Sequence, residues 1–245
     1  MLRGALVLIF SFIFTLPSFA KAPQGGITFE KTRVVYTERD RGGAALAIIN
    51  NTPQVYLIYA RVVLPSNDPS VVSSDMAPFT ALPPVSRLEG NSTRQLRVIR
   101  TGGELPVDRE SLFYLSLRII PSSGKYSATS DRMGLGVDWN MKVFYRPEGL
   151  EGGVKNALKT LSFERKGDRQ LKIHNSSPFW LTFSKLTSSR FGEMNSENLM
   201  VPPAGDKTIS LPENAYWQKE KERIYFQLID ENGKGIPESG GHVIL

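Results

Sequence analysis

Residues 133–147 read MGLGVDWNMKVFYRP. In the first half of this stretch Met133, Leu135, Val137 and Trp139 point one way and Gly134, Gly136, Asp138 and Asn140 the other. A period of two is the signature of a β-strand, here with one wholly apolar face. Glycines on the opposite face pack nothing, and they let another backbone or sheet come close. Lys142 follows the apolar row, and Phe144, Tyr145, Arg146 and Pro147 close it. An edge strand carrying such a row invites aggregation unless a partner covers it. The row therefore bears on function as well as fold.

The same period recurs along the chain. Strands are expected near residues 26–36, 44–49, 55–64, 85–88, 93–98, 111–119 and 133–145. Turn signals separate them, such as Asp40-Arg41-Gly42-Gly43, Asn50-Asn51-Thr52-Pro53 and Thr101-Gly102-Gly103. Short alternating strands at this density predict an immunoglobulin-like sandwich. A polar, glycine-rich break at residues 147–153 marks a domain boundary. Beyond it, strand-like runs at 160–164, 170–175, 179–186, 208–211, 223–229 and 242–245 predict a second, smaller β domain, with a short helical turn around 154–159. No internal sequence repeat is present.

The chain opens MLRGALVLIFSFIFTLPSFA, with Arg3 ahead of a short apolar core and Ser18-Phe19-Ala20 behind it. Residues 1–20 are expected to be a secretory signal peptide, since the core is shorter than the roughly 20 apolar residues of a membrane span. The expected division is 1–20 leader, 21–147 first domain and 148–245 second domain. Removing Arg3 with the leader lowers the formal net charge from +6 to +5. The cations are interspersed with acids, as in Lys219-Glu220-Lys221-Glu222-Arg223, and form no nucleic-acid footprint. An exported chain without cysteine depends on packed cores rather than disulfides. His174 and His242 are far apart, each without a second ligand at metal spacing. Neither a G-x-S-x-G elbow nor a phosphate loop occurs, so neither an enzyme nor a cofactor or metal site is expected.

LPVDRESLFYLSLRIIP at residues 105–121 and MKVFYRP at 141–147 resemble the periplasmic chaperones of the chaperone–usher pilus pathway, the PapD-like family. ITFEKTRVVY at 27–36 and LPPVSRLEGN at 82–91 resemble that family's opening strand and proline-bearing turn; Ser116 stands where the family usually has asparagine. The resemblance implies an all-β fold of two immunoglobulin-like β-sandwich domains set in an L. It implies that Arg33 and Lys142 anchor the C-terminal carboxylate of a pilus or fimbrial subunit. Met133, Leu135, Val137 and Trp139 would form the donor strand that completes the subunit's open sandwich, and Glu110, Arg146 and Asp230 a charged network between the domains. The partners implied are pilus subunits and an outer-membrane usher, with no nucleic acid, no membrane insertion of the mature chain and no cofactor. The short connection from Pro121 to Met133 points to chaperones of rod-like pili. An exposed apolar strand also makes a self-capping homodimer of the free chain a state to test. The rival expectation is an exported β-sandwich pilus subunit or adhesin.

Overall fold

The computed structural model describes residues 26–40, 42–66, 73–122, 136–218, 221–236 and 241–245. The expected leader and the donor residues Met133 and Leu135 lie outside them, as does most of the 121–133 connection. In the first half the described residues form β1 (Ile27–Phe29), β2 (Arg33–Thr37), β3 (Ala44–Asn50), β4 (Tyr56–Val63), β5 (Phe79–Leu82), β6 (Val85–Leu88), β7 (Ser92–Arg100), β8 (Ser111–Pro121) and β9 (Val137–Arg146). They assemble as two facing sheets, in the orders β1-β3-β7-β5 and β2-β9-β8-β4-β6. Alternate residues meet between the sheets: Leu46 and Ile48, Ile58 and Val62, Leu96 and Val98, Leu115 and Leu117, Val143 and Tyr145, all buried in one core. Each such burial contributes about 1.5–3 kcal/mol, and this packing stands in for disulfides.

The structure divides the expected strand 26–36 in two. β1 pairs antiparallel with β3 in one sheet, whereas β2 pairs parallel with β9 in the other. Sequence alternation cannot register such a crossing, because both halves keep a period of two. β5 was not expected at all; Phe79 and Ala81 alternate as a strand should, but Pro78, Pro83 and Pro84 flank so short a run that it reads as loop.

The second half opens with α1 (Gly153–Ala157) and a 3-10 turn at Leu158–Thr160, which bear out the expected helical turn. Strands β10 (Leu161–Lys166), β11 (Gln170–Asn175), β12 (Leu181–Ser188), β13 (Gly192–Glu193), β14 (Met200–Val201), β15 (Gly205–Ser210), β16 (Arg223–Leu228) and β17 (Gly241–Ile244) follow. One sheet is ordered β10-β11-β15; the other runs β13-β12-β16-β17, with β14 on β12. A separate core gathers Leu171, Ile173, Phe179, Leu181, Phe183, Ile224, Phe226 and Leu228.

Both halves use one device, carried by the same short motif, Asn-x-Ser/Thr-Pro, at residues 50–53 and 175–178. Asn50 ends β3 buried; its Nδ2 donates to Gln54 O (2.7 Å) and Glu89 O (2.8 Å), and its Oδ1 accepts from Thr52 N (3.0 Å) and Thr52 Oγ1 (2.8 Å). Asn175 ends β11 likewise, donating to Phe179 O (2.8 Å) and Pro202 O (2.9 Å) and accepting from Ser177 N (3.0 Å) and Ser177 Oγ (2.6 Å). These side-chain bonds, four for Asn50 and five for Asn175 with Val201 O at 3.4 Å, replace backbone ladder where the chain leaves the sheet. Asn50→Ala should cost about 3 kcal/mol, because two carbonyls lose their donor. A urea midpoint within experimental error of wild type would contradict this.

Candidate functional site

The site is built on β9. Along one edge it pairs antiparallel with β8, from Ile119↔Val137 to Ser111↔Tyr145. Along the other, β2 covers only residues 142–146, beginning at Arg33↔Lys142. Among the described residues the edge of 137–141 is therefore unpaired, with backbone N–H and C=O groups offered to an incoming strand. Val137, Trp139, Met141, Val143 and Tyr145 share one face. Met141, Val143 and Tyr145 are core residues, but Val137 and Trp139 are 48% and 45% exposed. The row thus begins in the core and runs out of it along the open edge. Trp139 rests edge-on against Phe29 of β1, their ring centroids 5.3 Å apart.

Where the open edge meets β2, two cations stand side by side. Cross-strand partners project to the same face, so Arg33 and Lys142 are neighbours, and Tyr114, opposite Lys142 on β8, completes the row. Arg33 is only 4% exposed. Its Nε is buried without a hydrogen-bond partner among the described residues, and its guanidinium lies 5.5 Å from the centroid of the Phe144 ring. Burial pulls the Arg33 pKa down, against the opposing field of Asp230, Glu110 and Glu231. Burial, and then Arg33 itself, lower the Lys142 ammonium to about 8. Neither cation has an ion-pair partner among the described residues. Two half-desolvated like charges are costly to hold together unless an anion joins them, so the arrangement is a ready anion site. Tyr114 went unmarked in the sequence because a phenol in an alternating strand looks like any other aromatic; only register places it beside Lys142.

A second cluster joins the two sandwiches. Glu110 Oε1 accepts from Arg146 Nε and Nη2, each at 2.8 Å. Its Oε2 accepts from Trp180 N of the second sandwich at 2.9 Å, and Glu110 N donates to Pro178 O at 2.9 Å. The Arg146 guanidinium sits 4.8 Å from the centroid of the Phe179 ring. Burial raises the Glu110 pKa despite Arg146, so desolvation outweighs pairing. The sequence-based set named Asp230 as third member, and here the structure corrects it. The acid that reaches Arg146 is Glu231, at 3.5 Å. Asp230 closes its own turn instead, its Oδ1 accepting from Asn232 N (2.9 Å) and Lys234 N (2.8 Å), and it acts on Arg33 only through its field. A one-residue displacement of this kind is invisible where two acids are adjacent. Ser116 faces Asn140 across the β8–β9 ladder, so an amide stands beside the position where one was missing.

Such a fold presents an open apolar strand edge that ends in a cation pair where the two sandwiches meet, the geometry that recognition by strand addition uses. Residues 26–151 match the model of the pili and flagellar-assembly chaperone PapD N-terminal domain, and residues 156–240 match that of the pili assembly chaperone PapD C-terminal domain. The chain belongs to this family of pilus-assembly chaperones. It is 29% identical over 219 residues to the chaperone protein FimC of Escherichia coli K12, covering 89% of this chain and 85% of FimC. Identity to the chaperone protein LpfB of Salmonella typhimurium is 31% over 189 residues, covering 77% and 78%. Among solved structures, one chain of the Salmonella enterica SafA pilin in complex with the SafB chaperone superposes with a TM-score of 0.75 at 28% identity, covering 90% of this chain and 97% of that one. The Escherichia coli chaperone DraB superposes with a TM-score of 0.71 at 27% identity, covering 90% and 98%.

Proposed function

We propose that this protein is a periplasmic, non-enzymatic assembly chaperone that holds pilus subunits by strand addition and delivers them to an outer-membrane usher. The observation that carries the mechanism is the edge of residues 137–141, unpaired among the described residues, running directly into the Arg33–Lys142 pair. A subunit strand laid on that edge, with its terminal carboxylate between the two cations, lies on the line that β2 continues. With its C-terminus held at Lys142 and its preceding residues running back along residues 141 to 137, the subunit strand runs parallel to β9, as β2 does. The anchored carboxylate fixes register, and a one-residue slip would turn every donor side chain away from the subunit's groove. Val137 and Trp139, with Met133 and Leu135 before them, are the side chains lent to that groove. The rival reading as a pilus subunit or adhesin gains no support, because the chain matches both chaperone domains.

The test is periplasmic co-purification of the tagged chain from cells expressing its neighbouring genes, with bound proteins identified by mass spectrometry. A small subunit-like protein retained by wild type supports the reading; nothing retained overturns it. Val137→Asp should reduce retention at least about tenfold, since it forfeits roughly 1.5–3 kcal/mol of apolar burial and desolvates a carboxylate. Undiminished retention would show that β9 donates nothing at this position. The same open edge suits a second copy of the chain, and sedimentation of the free protein tests for a self-capped dimer.

A further inference from the structure

The placement of Arg33 is not secured by its own sheet. β2 is a five-residue strand at the end of the order β2-β9-β8-β4-β6, pairing among the described residues with β9 alone. Arg33 is its first residue, where a ladder frays most easily. Thr32, immediately before it, meets the second sandwich instead: Thr32 Oγ1 donates to Gly233 O at 3.4 Å. Gly233 has φ +86°, and a β-carbon there would overlap Thr32 Oγ1 and lie 3.0 Å from its Cβ and 3.3 Å from its backbone nitrogen. Only glycine allows both that conformation and that approach.

Residues 230–234 form a stiff turn. Gly233 N donates to Asp230 O (3.1 Å) and Asp230 N to Lys234 O (2.7 Å), and the Asp230 carboxylate binds two further N–H groups of the turn. Next to Asp230, Glu231 reaches Arg146 at the far end of β9 and accepts from Val154 N at 3.1 Å. A single turn of the second sandwich therefore touches the start of β2 and the end of β9, the two strands that carry the cations.

We propose that residues 230–234 are a positioning element that holds Arg33 against Lys142, with Gly233 as the close-approach residue that sets their spacing. The inference rests on the reading of that pair as a carboxylate anchor, yet it can be tested without a subunit. The charged and titratable groups around Lys142 are Arg33 and Tyr114, with Asp230, Glu110 and Glu231 acting on Arg33. If Gly233→Ala pushes the turn away, Lys142 becomes better hydrated and Arg33 recedes. Its titration, followed by NMR of the labelled lysine side chain in the free protein, should then move up by about one pH unit. Subunit retention should fall in parallel. Thr32→Gly in the Gly233→Ala background removes the two nearest colliding atoms together with the hydrogen bond to Gly233 O, and leaves the φ strain, so it should bring the midpoint part of the way back to wild type. Thr32→Leu presses the same contact from the other side with the turn unaltered, and serves if Gly233→Ala does not fold. A folded Gly233→Ala or Thr32→Leu chain that titrates Lys142 at the wild-type midpoint overturns the proposal. A midpoint that moves while retention does not leaves the positioning role standing and removes the carboxylate reading.

Discussion

Lys142→Ala and Arg33→Ala should each abolish retention of a pilus subunit while leaving a folded chain. Truncating one partner of a desolvated, hydrogen-bonded charge pair costs about 2–5 kcal/mol, from about thirtyfold to several thousandfold in affinity. Much of that loss is the penalty of leaving the subunit carboxylate under-neutralised in a site shielded from water. The free protein should respond in the opposite direction. Lys142 is half-buried beside Arg33 without an ion-pair partner among the described residues, and its pKa is lowered to about 8. Lys142→Met should therefore stabilise the free chain, by on the order of 1 kcal/mol, while destroying binding.

The sign of the pH dependence follows. Between pH 8 and the unfolded lysine value the unfolded chain binds the proton that the folded chain has lost, so stability rises with pH across that window. The destabilisation is fully present below pH 8. With Lys142 proposed as a carboxylate anchor, subunit binding would need its charged ammonium, so affinity should fall as pH rises above 8, by up to about tenfold per pH unit. Thermal unfolding of wild type and Lys142→Met, and subunit dissociation from wild type, measured from pH 7 to 9.5, give the slopes, with the unfolding pair as the comparison. Parallel slopes in both proteins would mean that Lys142 is not the titrating group.

The second large effect is at the domain junction. Glu110→Ala leaves the Arg146 guanidinium and the Trp180 N–H without their acceptor, and removing one member of a buried pair costs about 3–5 kcal/mol. Arg146 keeps Glu231 at 3.5 Å and some exposure, so the lower end of that range is expected. The urea midpoint should fall accordingly, and the two sandwiches should unfold less cooperatively. A loss below 1 kcal/mol would show that the pair adds little to the junction. Because burial raises the Glu110 pKa even with Arg146 beside it, the pair's contribution is geometric before it is energetic: it specifies how one sandwich meets the other.

Much of this was legible in one dimension. Period-two runs such as residues 111–119 and 170–175 announced strands, because a half-buried strand must alternate. The signature stretches at 105–121 and 141–147 carried the family, and with it the expectation that Arg33 and Lys142 act together; the register makes them neighbours. The failures share a cause. The crossing of residues 30–32 between sheets, the substitution of Glu231 for Asp230 and the twinned amides Asn50 and Asn175 all concern which groups meet, not which groups occur.

The sequence by itself determined that this chain is all-β, that residues 133–139 form an apolar row and that a lysine follows it, since composition and period are properties of neighbours along the backbone. Only the tertiary structure decided that β2 begins opposite Lys142 and, among the described residues, leaves one edge of residues 137–141 unpaired. It alone set a buried arginine beside that lysine, and lodged Gly233 against Thr32. Those are contacts between segments far apart in the chain, made by sheet register and domain packing, and register depends on every strand at once.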